Sequence, residues 1–245
     1  MSLQFSNTTT KNGIIQLIER TLGFNDGDVS GDSTLLAQFT GDINLALDRA
    51  FSIIFESDGT WQFDDSNHTD YPIITTNLVS GQRDYSFTTD ENGNQILEIF
   101  KVLVADPADT FHEILPVDVS SGGPASYTDG LNVGGQPDTY DKLANGIFLD
   151  PIPNYSVTNG LKVYVNREAS YFLTSDTTKK SGLAGPHQEY LAIRPAFQYA
   201  YRKGLANMRD LEAQVIKMEG EIASYYSKRA RDERKQLVGI RRSSR

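Results

Sequence analysis

Apolar residues recur at helical spacing at both ends of this chain, and short strand-like segments replace them in the middle. This division constrains the fold strongly. Apolar residues repeat every 3.6 positions in a helix and every 2 positions in a strand with one buried face, so the ends and the middle must form different elements. A first helix is predicted after the polar residues Thr10 and Asn12, on the run Ile14, Ile15, Ile18 and Leu22. A second is predicted to start at a cap formed by Ser33 or Thr34 and to stop at 57–59, with the apolar stripe Leu36, Phe39, Ile43, Leu47, Ala50 and Ile54.

Two further helices are predicted at the C-terminal end. Pro186 suits a first helical position, and it precedes the apolar face of Tyr190, Ile193, Phe197, Tyr201 and Leu205. Pro195 is predicted to break or kink this segment, because proline removes a backbone donor and clashes with the preceding turn. The last helix carries a heptad-like seam that stops where positive charge begins, at Arg229; its members are Met208, Leu211, Val215, Met218, Ile222 and Tyr225.

Between residues 61 and 169 the pattern is that of short strands bounded by turn residues. Strands are predicted at 72–76, 84–88, 96–105, 111–117, 146–149 and 161–166. Asn145 and Gly146 predict a hairpin between 140–144 and 147–149, since both tolerate the positive φ of a type I′ turn. The glycine- and proline-rich stretch 120–137 is predicted to form a long surface loop.

The order of these elements predicts the fold class α+β. Residues 1–58 and 186–245 are expected to form a helical layer from both chain ends, with a basic C-terminal tail. Residues 59–185 are expected to form an inserted, antiparallel, β-rich domain. The length of 245 residues suits one large or two small domains.

Charge is distributed unevenly along the chain. Residues 1–180 carry 10 Lys and Arg against 25 Asp and Glu, whereas residues 181–245 carry 13 against 7. The absence of cysteine excludes disulfides and thiolate chemistry. The apolar runs are too short for a membrane span, and the first residues lack the features of a secretory signal, so we expect synthesis in the cytosol.

The reactive residues of the sequence form no pattern typical of a catalytic, cofactor or metal site, so we predict no enzyme, no cofactor and no bound metal. His68, His112 and His187 lie far apart, and no phosphate-binding glycine loop or nucleophile elbow is present. The adjacent carboxylates Asp64 and Asp65 are interpreted as solvated surface, although a hydrolase that uses carboxylates of the β region stays an alternative.

One loop comes close to a metal motif. Its weak candidate ligands, Asp26, Asp28 and Ser30, match the opening of a calcium-binding loop, but Ala37 stands where the bidentate glutamate belongs. A turn that caps the second helix is therefore the favoured interpretation.

The strongest functional signal is a basic block at residues 228–245. It can dock on an acidic groove of a protein partner, bind nucleic acid by releasing counterions, or serve only as a solvated helix end. The acidic body and the lack of stacking residues among the arginines disfavour nucleic acid. We therefore predict protein docking through Tyr226, Lys228, Arg229, Arg231, Arg234, Lys235, Arg241, Arg242 and Arg245.

Several strings, in order along most of the chain, carry a family resemblance. They are WQFDDSNHTD (61–70), TTNLVSGQ (75–82), GIFLDP (146–151), LKVYV (161–165), FLTSDTTK (172–179) and YYSKRARDER (225–234). With these strings the chain resembles the head-to-tail adaptors, or connectors, in the neck of tailed bacteriophages. Those adaptors are mostly helical, so the large β insertion departs from their pattern.

The resemblance implies a virion structural protein located in the neck, and in the host cytoplasm during assembly. It implies a homo-oligomeric ring, twelvefold to match the portal, that docks on the portal through its C-terminal segments. The tail or other neck proteins would be further partners, and no membrane is involved. The ring would link the capsid to the tail and help to retain the DNA after packaging. Genomic DNA would pass the lumen without sequence-specific binding, because an acidic lumen repels it. A tail-side completion or stopper protein is the main alternative, and a nucleic-acid-binding module is a less favoured one.

Overall fold

The structure, a computed structural model, describes residues 3–57, 73–89, 93, 95–117, 134–143 and 146–229. These residues form an α+β fold, as predicted. The helices are α1 (Ile14–Leu22), α2 (Ser33–Ser57), α3 (Tyr190–Lys203) and α4 (Met208–Arg229). The strands are β1 (Ile73–Leu78), β2 (Asp84–Ser86), β3 (Ile96–Ala105), β4 (Phe111–Pro116), β5 (Gly134–Gly135), β6 (Thr139–Leu143), β7 (Gly146–Asp150), β8 (Ile152–Pro153) and β9 (Val157–Arg167). Among the described residues, no helix is both long and apolar enough to cross a membrane.

The chain divides into two compact units. The described residues of the helical unit come from Met1–Trp61, Phe172–Lys179 and Ala184–Arg245, and those of the β unit from Gln62–Tyr171 and Lys180–Leu183. The predicted inserted domain runs on to residue 185, whereas Phe172–Lys179 belongs to the helical unit. After residue 171 the chain therefore passes between the two units three times, where the sequence pattern predicts a single boundary.

The side chain of Asn44 ties the start of Phe172–Lys179 to the helical unit. Asn44 on α2 accepts the N–H of Phe172 at 2.9 Å and donates to its carbonyl at 3.0 Å, although the two residues lie 128 positions apart. The ring of Phe172 stacks on Phe5 with centroids 5.0 Å apart, and the N–H of Phe5 donates to the carbonyl of Lys179. These long-range contacts leave no trace in local periodicity, so the sequence pattern misses them.

The long helix α2 confirms the predicted stripe but not the predicted cap. Within that stripe, the five positions from Phe39 to Ile54 are fully buried and form much of the helical core. The cap is Asp32, whose Oδ1 accepts the N–H groups of Thr34 and Leu35 at 2.8 and 3.1 Å. Ser33 and Thr34 are already helical, so the prediction of either as the cap is wrong. Beyond Ser57, the predicted stop lies outside the described residues.

The helix α3 is continuous through Pro195, so of the two outcomes predicted for this proline, a break or a kink, the break is wrong. Proline at this position removes only the hydrogen bond to the carbonyl of Leu191. Leu191, Ala192 and Ala196 are fully buried around it, so their packing keeps the segment helical. Pro186 lies outside α3, in a short 3-10 turn at Gly185–His187.

The β unit is built on a seven-stranded sheet with the order β1-β9-β3-β4-β6-β7-β2. Neighbouring strands are antiparallel except β4 and β6, which are parallel. The separate short strands β5 and β8 also pair in parallel. The parallel pair of this sheet, β4 and β6, is joined in sequence by residues 117–138.

The strand predicted at 161–166 lies within β9, and its side chains alternate between buried and partly exposed up to Val165. Leu161, Val163 and Val165 are fully buried in the core of the β unit, while Lys162 and Tyr164 between them are partly exposed. The antiparallel pairing of β6 with β7 confirms the predicted hairpin. Its innermost pair is Leu143 and Gly146, so Gly146 lies in β7 and not in the predicted turn. Residues 120–133 of the predicted long loop lie outside the described residues, and Gly134–Gly135 near its end form β5 instead of loop.

Candidate partner-binding surfaces

The helix α4 leads directly into the predicted basic tail and is itself firmly anchored. Its buried face consists of Leu211, Val215, Ile222 and Tyr226, none of them more than 6% exposed. This face packs on α2 and α3 within the helical unit. The end of α4 is therefore held in place by apolar burial up to Tyr226.

A polar cluster on α4 joins the three long helices. Glu219 accepts hydrogen bonds from the Tyr190 hydroxyl at 2.8 Å and from Arg194 at 2.5 Å, both on α3. Its second carboxylate oxygen pairs with Arg49 of α2 at 3.3 Å. Burial of the ring, together with the bond to Glu219, raises the pKa of Tyr190 well above its usual value, so this phenol stays protonated. One carboxylate thus fixes the positions of α2, α3 and α4 relative to one another.

The predicted docking residues begin where this support ends. Lys228, in the last turn of α4, is exposed, and Arg229 is the last helical residue. The other predicted cations lie outside the described residues: Arg231, Arg234, Lys235, Arg241, Arg242 and Arg245. The described part of the chain therefore presents the start of the basic block at the exposed end of an anchored helix.

Tyr226 does not belong to a docking surface, and the assignment of this residue to partner binding is wrong. Its ring is fully buried, and its hydroxyl accepts the N–H of Ala184 at 3.2 Å. The neighbouring Tyr225, assigned to the apolar seam by its spacing, is 43% exposed. The two tyrosines thus exchange the roles that the sequence pattern predicts for them.

A shallow apolar groove between α2 and α3 was not predicted. It has a volume of about 440 Å³ and is lined by Leu45, Phe197 and Tyr201, with Leu45 58% and Tyr201 68% exposed. The ion pair of Asp42 with Arg202 borders it, and the hydrogen bonds that Arg202 donates to Asp42 raise the pKa of Arg202. Periodicity places Phe197 and Tyr201 on one helical face, but it assigns that face to the core.

An exposed apolar side chain also lies on α4, away from the groove between α2 and α3. Ile216 is 66% exposed, and it lies one turn before Gly220. A Cβ atom on Gly220 would meet nothing within 4 Å, so no contact in the described residues requires glycine there. A single exposed aliphatic side chain is common on protein surfaces, so Ile216 alone does not mark a binding site.

The candidate metal loop is a turn. Glu19, almost fully buried on α1, accepts the N–H groups of Val29 and Ser30 at 3.0 and 3.1 Å. Asp28 accepts the N–H of Asn25, and Asp26 pairs with Lys11 at 3.2 Å. In the described ranges, no three His, Asp or Glu side chains are grouped as a metal site.

The structure describes only some of the side chains that were considered as reactive groups. Asp64, Asp65 and His68 lie outside the described residues. His112 on β4 is exposed and pairs with Asp106 at 3.2 Å; hydrogen bonds from Thr110, His112 and Ala108 lower the pKa of Asp106. His187 is buried in the other compact unit.

Comparison with known proteins adds no relative: the sequence matches no protein-family model and no curated protein.

Proposed function

We propose that the protein is a head–tail adaptor of a tailed bacteriophage, a virion structural protein without catalytic activity. Its copies form a ring beneath the portal, and the ring links the filled capsid to the tail and lets the genome pass through its lumen. The proposal starts from the family resemblance of the sequence strings. The structural observation that supports it best is the end of α4, where an anchored helix leads an exposed Lys228 into the block of cations.

Such an arrangement suits docking on a large acidic partner. Arginine binds carboxylates through two parallel hydrogen bonds of defined geometry. A fixed attachment point for the basic segment favours this geometry. The buried side chains of Ile222 and Tyr226 provide this attachment point, because they hold the last two turns of α4 on the helical core. The segment 230–245, which we propose to dock on the portal, therefore begins at a fixed point.

The helical unit also offers surfaces for contacts between subunits of the ring. The groove of Leu45, Phe197 and Tyr201 and the exposed Ile216 lie in the same compact unit. Burial of such side chains contributes about 1.5–3 kcal/mol each when they become fully covered. The net charge of −9 keeps the lumen of a ring from binding DNA tightly, which favours passage of the genome.

The test compares two variants that each lose three cations. Arg231, Arg234 and Lys235 are replaced by glutamine in the first, and Lys203, Arg209 and Lys217, all exposed in the helical unit, in the second. We expect the first variant to lose co-sedimentation with portal-bearing capsids and the second to keep it. Equal attachment of both variants would contradict docking through the basic segment. Cryo-electron microscopy of the neck would reveal a tail-side position if the protein is a stopper instead.

A further inference from the structure

The last turns of α4 rest on a buried histidine. His187 closes the 3-10 turn Gly185–His187 and is only 8% exposed. Its ring meets the ring of Tyr225 edge-on, with centroids 4.9 Å apart, and that of Tyr226 at 6.2 Å. The same turn supplies the N–H of Ala184 to the Tyr226 hydroxyl. The histidine and its turn therefore hold the point from which the basic segment leaves the core.

Burial disfavours the charged form of the imidazole in place, and the attraction of Glu221 offsets this only in part. Its Nε2 atom is buried and has no hydrogen-bond partner among the described residues. From α4 it is faced by the two phenols, which are neutral, and by Glu221, whose side chain is exposed. The N-terminal segment, joined to this region by the bond between the N–H of Leu3 and Gln188, has no titratable side chain from residue 3 to residue 10. Glu189, in its own segment, is exposed.

We propose that His187 is a proton-sensitive latch: the neutral ring holds the end of α4 on the 3-10 turn, and the protonated ring leaves this site and releases it. Release separates Tyr225 and Tyr226 from the turn. Among the described residues after Ile222, only Tyr226 is buried, so loss of its packing frays the last turn of α4. Glu221 lies one turn before Tyr225, where it can pair with the imidazolium at the surface. Proton uptake thus releases the end of α4, the point at which the segment 230–245 begins.

The direction of the pH effect follows from burial. Burial lowers the pKa of His187 below its ordinary value of 6.5 and outweighs the opposing attraction of Glu221. Above pH 6.5 the ring is neutral in both the packed and the released state, so pH does not bias the latch. As the pH falls below 6.5 the released ring binds a proton more readily than the packed one, and opening increases. The increase stops once the pH is below the lowered pKa of the packed ring.

The experiment measures hydrogen exchange of the α4 residues 218–229 in the full chain between pH 7.5 and 5, after correction for intrinsic exchange rates. In the wild type we expect opening to rise by up to about tenfold for each pH unit below 6.5, as one proton linked to release requires. His187→Phe keeps an aromatic ring that cannot be protonated, and in this variant the rise should disappear. His112→Gln, a change at an exposed histidine of the β unit, should leave the rise intact.

Two results would overturn the latch. One is an unchanged rise in His187→Phe; the other is the absence of a rise in the wild type. If His187→Phe does not fold, the imidazole titration of the wild type, followed by NMR, replaces it: its midpoint must coincide with that of the exchange at residues 218–229, and separate midpoints would refute the coupling. The latch does not depend on the proposed adaptor function, because neither readout involves a portal.

Discussion

Replacing Glu219 by alanine tests the central polar cluster of the helical unit. The substitution removes the acceptor of the buried Tyr190 hydroxyl and of Arg194, and it breaks the pair with Arg49. Hydrogen bonds to charged groups contribute about 1.5–3 kcal/mol each, whereas a pair as exposed as Arg49 with Glu219 contributes about 0–1 kcal/mol. Partial exposure of the Arg194 and Glu219 side chains reduces the larger contributions. We therefore expect Glu219→Ala to lower the free energy of unfolding by about 2–4 kcal/mol.

The measurement is urea denaturation of the full chain, followed by the far-ultraviolet circular dichroism of its helices. Glu221→Ala is the matched control, since Glu221 lies on the same helix but is exposed and forms an ion pair with the exposed Lys217 at 3.7 Å. The control should change stability by less than about 0.5 kcal/mol. If Glu219→Ala destabilised the protein no more than Glu221→Ala does, the cluster would not hold the three helices together.

Two smaller predictions concern the helix ends and surfaces. Asp32→Ala should lower the free energy of unfolding by about 1 kcal/mol through loss of the α2 cap, whereas Ser33→Ala, at the position that the sequence pattern favours, should have little effect; equal losses in chemical denaturation would contradict the cap. Gly220→Ala should raise the free energy of unfolding by about 1 kcal/mol, because the added methyl group meets open space in the middle of α4; a lower thermal midpoint would mean that another surface approaches this glycine.

Local periodicity was sufficient for most of the secondary structure. The stripe of α2 and the alternation in β9 each reflect one buried face, and a residue's own neighbours in sequence determine which face that is. The strand 96–105 has the same bounds in the prediction and in the structure. The cap of α2 was harder, since Asp32, Ser33 and Thr34 are all good capping residues and only the backbone geometry selects among them.

The features that depend on distant residues could not be predicted in this way. The sequence near Phe172 gives no sign that Asn44 will bind its backbone, and the residues around Pro195 do not reveal how much packing supports them. The groove at Leu45 has the same origin. Its lining comes from two helices that are far apart in sequence, so a helical face that reads as core from spacing alone remains partly uncovered.

The exchange of Tyr225 and Tyr226 has a geometric cause that bears on how partners bind. A straight α-helix advances about 100° per residue, whereas a heptad seam assumes a helix that coils around its partner. At about 100° per residue, Leu211, Val215, Ile222 and Tyr226 fall within an arc of about 60°, and Tyr225 lies about 40° outside its edge. The helix α4 packs on α2 and α3 of its own unit as a straight helix would, so Tyr226 enters the core and Tyr225 stays exposed. A partner that approaches the end of α4 therefore meets Tyr225 and Lys228.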